Sequence, residues 1–111
     1  MTTNMLGDIG FRPIAAPDDE KNISGGFCGD LLSWVMSRAQ DGCCWFTVMG
    51  NINAIAVATL ADIAAVVLCH GVRLDADAAK KAEEEGIAVY STDLSVFDAA
   101  ALFYDRLKDV E

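Results

Sequence analysis

The sequence predicts an α/β fold of three layers, with a mainly parallel central sheet between helices. Three strand-and-helix units follow one another from Cys44 to Leu107. The middle strand, Ala64 to Cys69, is apolar on both faces, as a strand buried between two helical layers must be. Each connection between successive strands holds about a dozen residues or more, enough for a parallel crossover and too many for a hairpin. With 111 residues the chain is read as a single domain, 1–111.

The elements follow in order. Ile9 to Ala15 alternates loosely and contains Pro13, which lacks the ladder donor, so it reads as a short edge strand. Ala16 to Asn22 is a charged surface connector. Ser24-Gly25-Gly26-Phe27-Cys28-Gly29-Asp30 reads as a glycine-rich loop approaching a helix, in which Leu31, Leu32, Val35 and Met36 recur at helical spacing. Asp30 is placed at its cap or first turn, and Gly42 at its end. Cys44 to Met49 is the first parallel strand. Asn53 to Leu60 is a helix capped by Asn53. Asp75 to Glu85 is a helix capped by Asp75 and closed by Gly86. Its charges suggest i,i+4 pairing, such as Asp77 with Lys81. Ile87 to Tyr90 is the last strand, and Thr92 or Asp93 is expected to cap the final helix. In that helix Leu94, Phe97, Ala101 and Tyr104 form one apolar stripe, with Phe103 and Leu107 close by.

Composition narrows the function. Hydrophobic residues make up 53% of the chain, ample material for a core and incompatible with a disordered acidic tail. Eight Lys and Arg against 17 Asp and Glu give a net charge of −9, which argues against DNA or RNA as partner, since phosphate neutralisation needs clustered cations. The Met1-Thr2-Thr3-Asn4-Met5 start lacks a basic, then apolar, export signal, and the stretch Ile52 to Cys69 is too interrupted to span a membrane. A soluble, cytoplasmic protein is expected. Cys28, Cys43, Cys44 and Cys69 contain no C-x-x-C pair and read as reduced, small hydrophobes, with Cys43 and Cys44 on opposite sheet faces. No metal or cofactor is expected.

A binding site is expected where the strand-end turns gather, because open parallel sheets bind ligands outside the carboxyl ends of their strands. The candidates there are Asn51 and Asn53 after one strand, His70 and Gly71 after the next, and Thr92 and Asp93 after the third. Gly26, Gly29 and Asp30 join them if their loop lies on the same edge. Glycine-freed amides and helix starts suit a phosphate or carboxylate, although every one of these residues also has an ordinary role as a turn or cap former. No Ser/His/Asp or Cys/His arrangement emerges, and no catalytic residue is assigned. His70 with Asp93, Cys28 with Cys69, or a carboxylate pair of Asp30 and Asp93 would be the starting points for chemistry.

The runs Ile23-Ser24-Gly25-Gly26-Phe27-Cys28-Gly29-Asp30-Leu31-Leu32-Ser33, Asn51-Ile52-Asn53-Ala54-Ile55-Ala56-Val57-Ala58 and Gly86-Ile87-Ala88-Val89-Tyr90-Ser91-Thr92-Asp93-Leu94-Ser95 resemble the stand-alone DRTGG-type domains, over roughly Ile9 to Leu107. Such domains are similar to the N-terminal domain of HPr kinase/phosphorylase and the first domain of Mur ligases. Asn51-Ile52 stands where the namesake Asp-Arg pair would, and Cys69-His70-Gly71 where Thr-Gly-Gly would. The resemblance implies a regulatory or dimer-forming module without catalysis of its own. The sequence therefore predicts a non-enzymatic regulatory or ligand-binding module, homodimeric, with a sensor of a nucleotide or phosphorylated metabolite as the alternative. The high apolar content of so short a chain independently suggests the dimer.

Overall fold

A computed structural model describes residues 1–110, and its elements are α1 (Met5–Asp8), β1 (Arg12–Ala15), β2 (Gly25–Cys28), α2 (Leu32–Arg38), β3 (Cys43–Thr47), α3 (Ile52–Leu60), β4 (Ala65–Leu68), α4 (Ala76–Glu85), β5 (Ala88–Ser91) and α5 (Val96–Val110). The five strands form one sheet in the order β1-β5-β4-β3-β2. β2, β3, β4 and β5 run parallel, and β1 joins β5 antiparallel. The expected α/β class with a mainly parallel sheet is the fold observed. No helix among the described residues is long and apolar enough to cross a membrane.

Each crossover moves the chain one strand further in the same direction. Crossovers of one hand repeated in one direction place their helices on one face. Accordingly Val35 of α2, Ala54, Ile55 and Ala58 of α3, and Ala78 and Ala82 of α4 share a core with Trp45, Val66, Leu68 and Val89. The alternate strand residues Cys44, Phe46, Val67 and Tyr90 face the other way, against Leu6 and Phe11 from the N-terminal segment and Ala99 and Phe103 of α5. Cys43 and Cys44 thus enter opposite cores, as their adjacency predicts. Period-two alternation delivers one residue in two to each layer. The aromatic rings on the α5 side meet edge to face, Phe46 with Phe103 at 5.2 Å and with Phe11 at 6.3 Å. Trp45 is fully buried, and its indole N–H donates to the Gly29 carbonyl at 2.8 Å.

Several local expectations are corrected. Gly25–Cys28 is an edge strand, not a loop: glycine-rich backbone has low strand propensity, yet pairing with β3 orders it. The α2 cap position belongs to Leu31, and α2 ends at Arg38, well before Gly42. Asn51, not Asn53, caps α3 by accepting from the Ala54 N–H at 2.9 Å. Asp75 holds the α4 cap position without a side-chain bond, and Gly86 closes the helix with left-handed geometry, φ 69°. Lys81 pairs instead with Glu85, one turn further along the helix, at 3.2 Å, and no ion pair joins Asp77 to Lys81. Neither Thr92 nor Asp93 caps α5. Ser95 does, its hydroxyl oxygen accepting from the Asp98 N–H at 3.0 Å.

The largest correction concerns α5. The stripe Leu94, Phe97, Ala101 and Tyr104 faces outward, and the buried row is Ala99 and Phe103, flanked by Val96, Ala100 and Leu107. Apolar residues cover more than one side of this helix. The row that meets the sheet is the one whose Phe103 packs edge to face on Phe46, with Ala99 buried beside it.

The loops at the carboxyl ends of the strands are tied together by backbone. The N–H of Asp75 donates to the Gly50 carbonyl at 2.8 Å, His70 to Leu94 at 2.8 Å, and Gly71 to Thr92 at 3.0 Å. A Cβ on Gly50 would stand 2.2 Å from the Arg73 carbonyl oxygen, a backbone atom that cannot rotate away. Gly50→Ala is therefore expected to destabilise the fold by about 2–3 kcal/mol, as overpacking does. Thermal unfolding should show a melting temperature lower by roughly 10 °C or more.

Candidate functional site

All four parallel strands present their carboxyl ends along one rim. Because the strand order never reverses between β2 and β5, the rim has no switch point of the kind that opens a crevice in doubly wound sheets. The cleft forms instead where β1 enters in the opposite direction. There the start of β1 lies beside the end of β5, with Arg12 opposite Ser91. A cleft of about 470 Å³ opens at this point, walled by Arg12 and Ile14 of β1, Ser91 and Asp93 after β5, and Gly71 to Leu74 after β4. Its two cations, Arg12 and Arg73, are two of only eight in the chain.

Arg12 is held by Asp93 at 3.3 Å, with 60% and 79% of the two side chains exposed. An ion pair this exposed contributes on the order of 0–1 kcal/mol, so an incoming anion can take the guanidinium from Asp93 at little cost. Ser91 adds a hydroxyl, and Gly71, at φ 71°, keeps its Cα open beside the Asp93 carboxylate. His70 adopts the left-handed region, φ 58°, and what ties it to the rim is its backbone N–H. Thr92 is buried, its hydroxyl oxygen accepting from the Leu94 N–H at 3.2 Å. These are the groups that shape and line a small polar pocket.

The nine sequence candidates divide accordingly. Gly71 and Asp93 line the cleft, and His70 and Thr92 form the turns that support it. Asn51 is spent on its helix, and Asn53 is an exposed position on α3. Gly26 lies within β2 against Phe103, and Gly29 is bonded to Phe46 and Trp45. Asp30 accepts from the Thr47 hydroxyl at 2.6 Å and from the Val48 N–H at 3.0 Å, clamping the end of β2 to β3. Asp30 and Asp93 follow strands three places apart in the sheet, about 14 Å at ordinary strand spacing, so they do not form a carboxylate pair. No cluster of metal-ligating side chains occurs among the described residues. Arg12, Arg73 and Ser91 were not expected. Arg12 and Arg73 are remote in sequence, and only the reversed direction of β1 brings them to one cleft.

The cysteines are free thiols, three buried and Cys28 exposed. Burial raises Cys43 and Cys69 to about 11 and Cys44 well above the ordinary thiol value; burial and then the Asp30 carboxylate raise Cys28. All four are protonated at neutral pH, the opposite of what a nucleophile or redox centre requires.

No protein-family model matches the chain, and no curated protein is similar to it in sequence. Among solved structures it is similar to the CBS and DRTGG domains of the regulatory region of Clostridium perfringens pyrophosphatase, a structure complexed with the activator diadenosine tetraphosphate. The TM-score is 0.69 at 12% identity, covering 89% of this chain and 44% of that one. The chain thus spans less than half of that regulatory region. The likeness is one of fold, and the fold is DRTGG-like.

Two outcomes follow from this geometry. Asp30→Ala should cost about 1–3 kcal/mol by orphaning the Thr47 hydroxyl and Val48 N–H, measured by denaturant unfolding, and should leave the Arg12 cleft unaltered. Raised thiol values in the folded state mean that the unfolded chain gives up its protons first. Stability should hold to about pH 9 and then fall toward pH 11, by on the order of 1 kcal/mol per pH unit for each of Cys43 and Cys69. Cys69→Ala should flatten that decline in a urea-unfolding series against pH.

Proposed function

We propose that the chain is a non-catalytic regulatory module that binds a nucleotide or another phosphorylated metabolite in the cleft between β1 and β5, and that it works as a homodimer. The observation that carries the ligand assignment is the meeting of Arg12 and Arg73 at one rim cleft in a chain of net charge −9. The cleft wall holds Arg12 and Arg73 against one carboxylate, Asp93, so its lining is net positive in a chain that is strongly acidic as a whole, and Ser91 and Gly71 complete it. Arg12 supplies a cation at the rim although Asn51-Ile52 replaces the Asp-Arg pair of the DRTGG motif.

The similar pyrophosphatase region is complexed with a nucleotide activator, which supports both a regulatory role and this class of ligand. The likeness to the N-terminal domain of HPr kinase/phosphorylase and to Mur ligases, and a cytoplasmic location, belong to the same proposal. A non-catalytic role is supported by the similar fold being that of a regulatory region. Phosphate recognition by Arg12 and Arg73 needs neither a nucleophile nor a metal.

The test is thermal unfolding with AMP, ATP, pyrophosphate and acetyl phosphate, each at about millimolar concentration. A ligand at ten times its Kd stabilises the folded state by about 1.4 kcal/mol, roughly a 5–10 °C rise in melting temperature for a domain of this size. At least one of the four should produce such a rise, and Arg73→Ala and Arg12→Ala should each abolish most of it. Absence of any shift across the four overturns the ligand assignment. A shift that both arginine variants retain places the ligand elsewhere.

A further inference from the structure

We infer that the free edge of β2, together with the outward row of α5, is the surface on which a second copy of this chain docks. The inference rests on the dimeric part of the proposal above and goes beyond it by naming the face. The two edges of the sheet are built differently. The β1 edge carries Arg12, Pro13 and a register irregularity between Pro13 and Ala15, three devices that keep another strand from adding. The β2 edge, Gly25-Gly26-Phe27-Cys28, carries no charge, no proline and no irregularity. The Gly29 N–H donates inward to Phe46, and the alternation of a parallel ladder then leaves the backbone of Gly26 and Cys28 directed outward.

Beside this open backbone lies apolar surface. Phe97 is 80% exposed and Tyr104 59% exposed, and with Cys28, Ala100 and Ala101 they line a shallow groove between α5 and β2. No carboxylate lines this groove, which limits self-repulsion between copies of an acidic chain, and the Lys108 ammonium lies over the Tyr104 ring at 5.3 Å from its centroid. Phe97 and Tyr104 alone expose on the order of 250–300 Å². That is about half of the ~600 Å² per partner of the smallest specific interfaces, the rest of which β2 and the groove walls would have to supply. A two-fold axis through the β2 edge would pair β2 antiparallel with its equivalent and bring each Phe97 row against the other copy, an isologous contact that closes on itself.

The area is modest, so association that depends on protein concentration is expected. Sedimentation equilibrium on the full chain from about 1 to about 500 μM should show monomer and dimer. Phe97→Glu should weaken association at least tenfold, while Leu60→Glu, the same charge placed on an exposed leucine of α3, should not. Cys28 should react with a maleimide more slowly at high protein concentration than at low, in the wild-type chain and not in Phe97→Glu. Circular dichroism verifies that each variant is folded, and Phe97 is exposed enough for this to hold. A monomer at every concentration, or equal association of the two glutamate variants, overturns the assignment. Thermal shifts with pyrophosphate, measured on Phe97→Glu, keep the ligand question separate, because Arg12 and Arg73 lie at the other end of the sheet.

Discussion

The repeated crossover is the constraint from which the rest of this molecule follows. Each passage from β2 to β5 advances by one strand in one direction. Three helices are thereby stacked on one face, and the opposite face must be covered by segments outside the β-α repeat. α5 does this from the C-terminal side, and the N-terminal segment does it with Leu6 and Phe11. The same constraint removes any switch point among the parallel strands. A cleft at the rim has to arise from another irregularity, and the reversed entry of β1 provides it.

The loops of the rim are held together by backbone and not by side chains. Gly50 touches the chain at Arg73, and the His70-Gly71 turn is bonded to the Thr92–Leu94 segment. Three loops that differ widely in sequence position are thus joined through backbone contacts. Arg73 is carried by the same loop that Gly50 packs against, so the position of one cation of the cleft is set by a residue without a side chain. Asp30, which the sequence offers as a ligand, does comparable work at the far end of the rim by holding β2 to β3.

How much of this was legible beforehand depends on the kind of signal. The parallel order and the common rim were readable, because Ala64 to Cys69 is apolar throughout and the crossovers have parallel length. β2 was not, because Gly25 and Gly26 lack the side chains by which strands are recognised and are held by their neighbour's ladder. Asn51 and Asn53 are both good caps, and only the backbone direction chooses between them. On α5 two apolar rows compete, and periodicity alone finds both without saying which meets the sheet. The cleft was least visible: Gly71 and Asp93 line it because they follow strands, whereas the place of Arg12 depends on the direction of β1, which pattern in sequence does not encode.

The irregularity in β1 carries one more consequence. A sheet with two receptive borders can add units without limit and grow into a fibre, since every added molecule offers a fresh border. Proline and arginine deny that possibility on one side of this molecule. Any strand-to-strand growth must begin at the glycine-rich border, and the far margin of each newcomer is already blocked. The placement of Pro13 and Arg12 thereby opposes open-ended strand-to-strand growth.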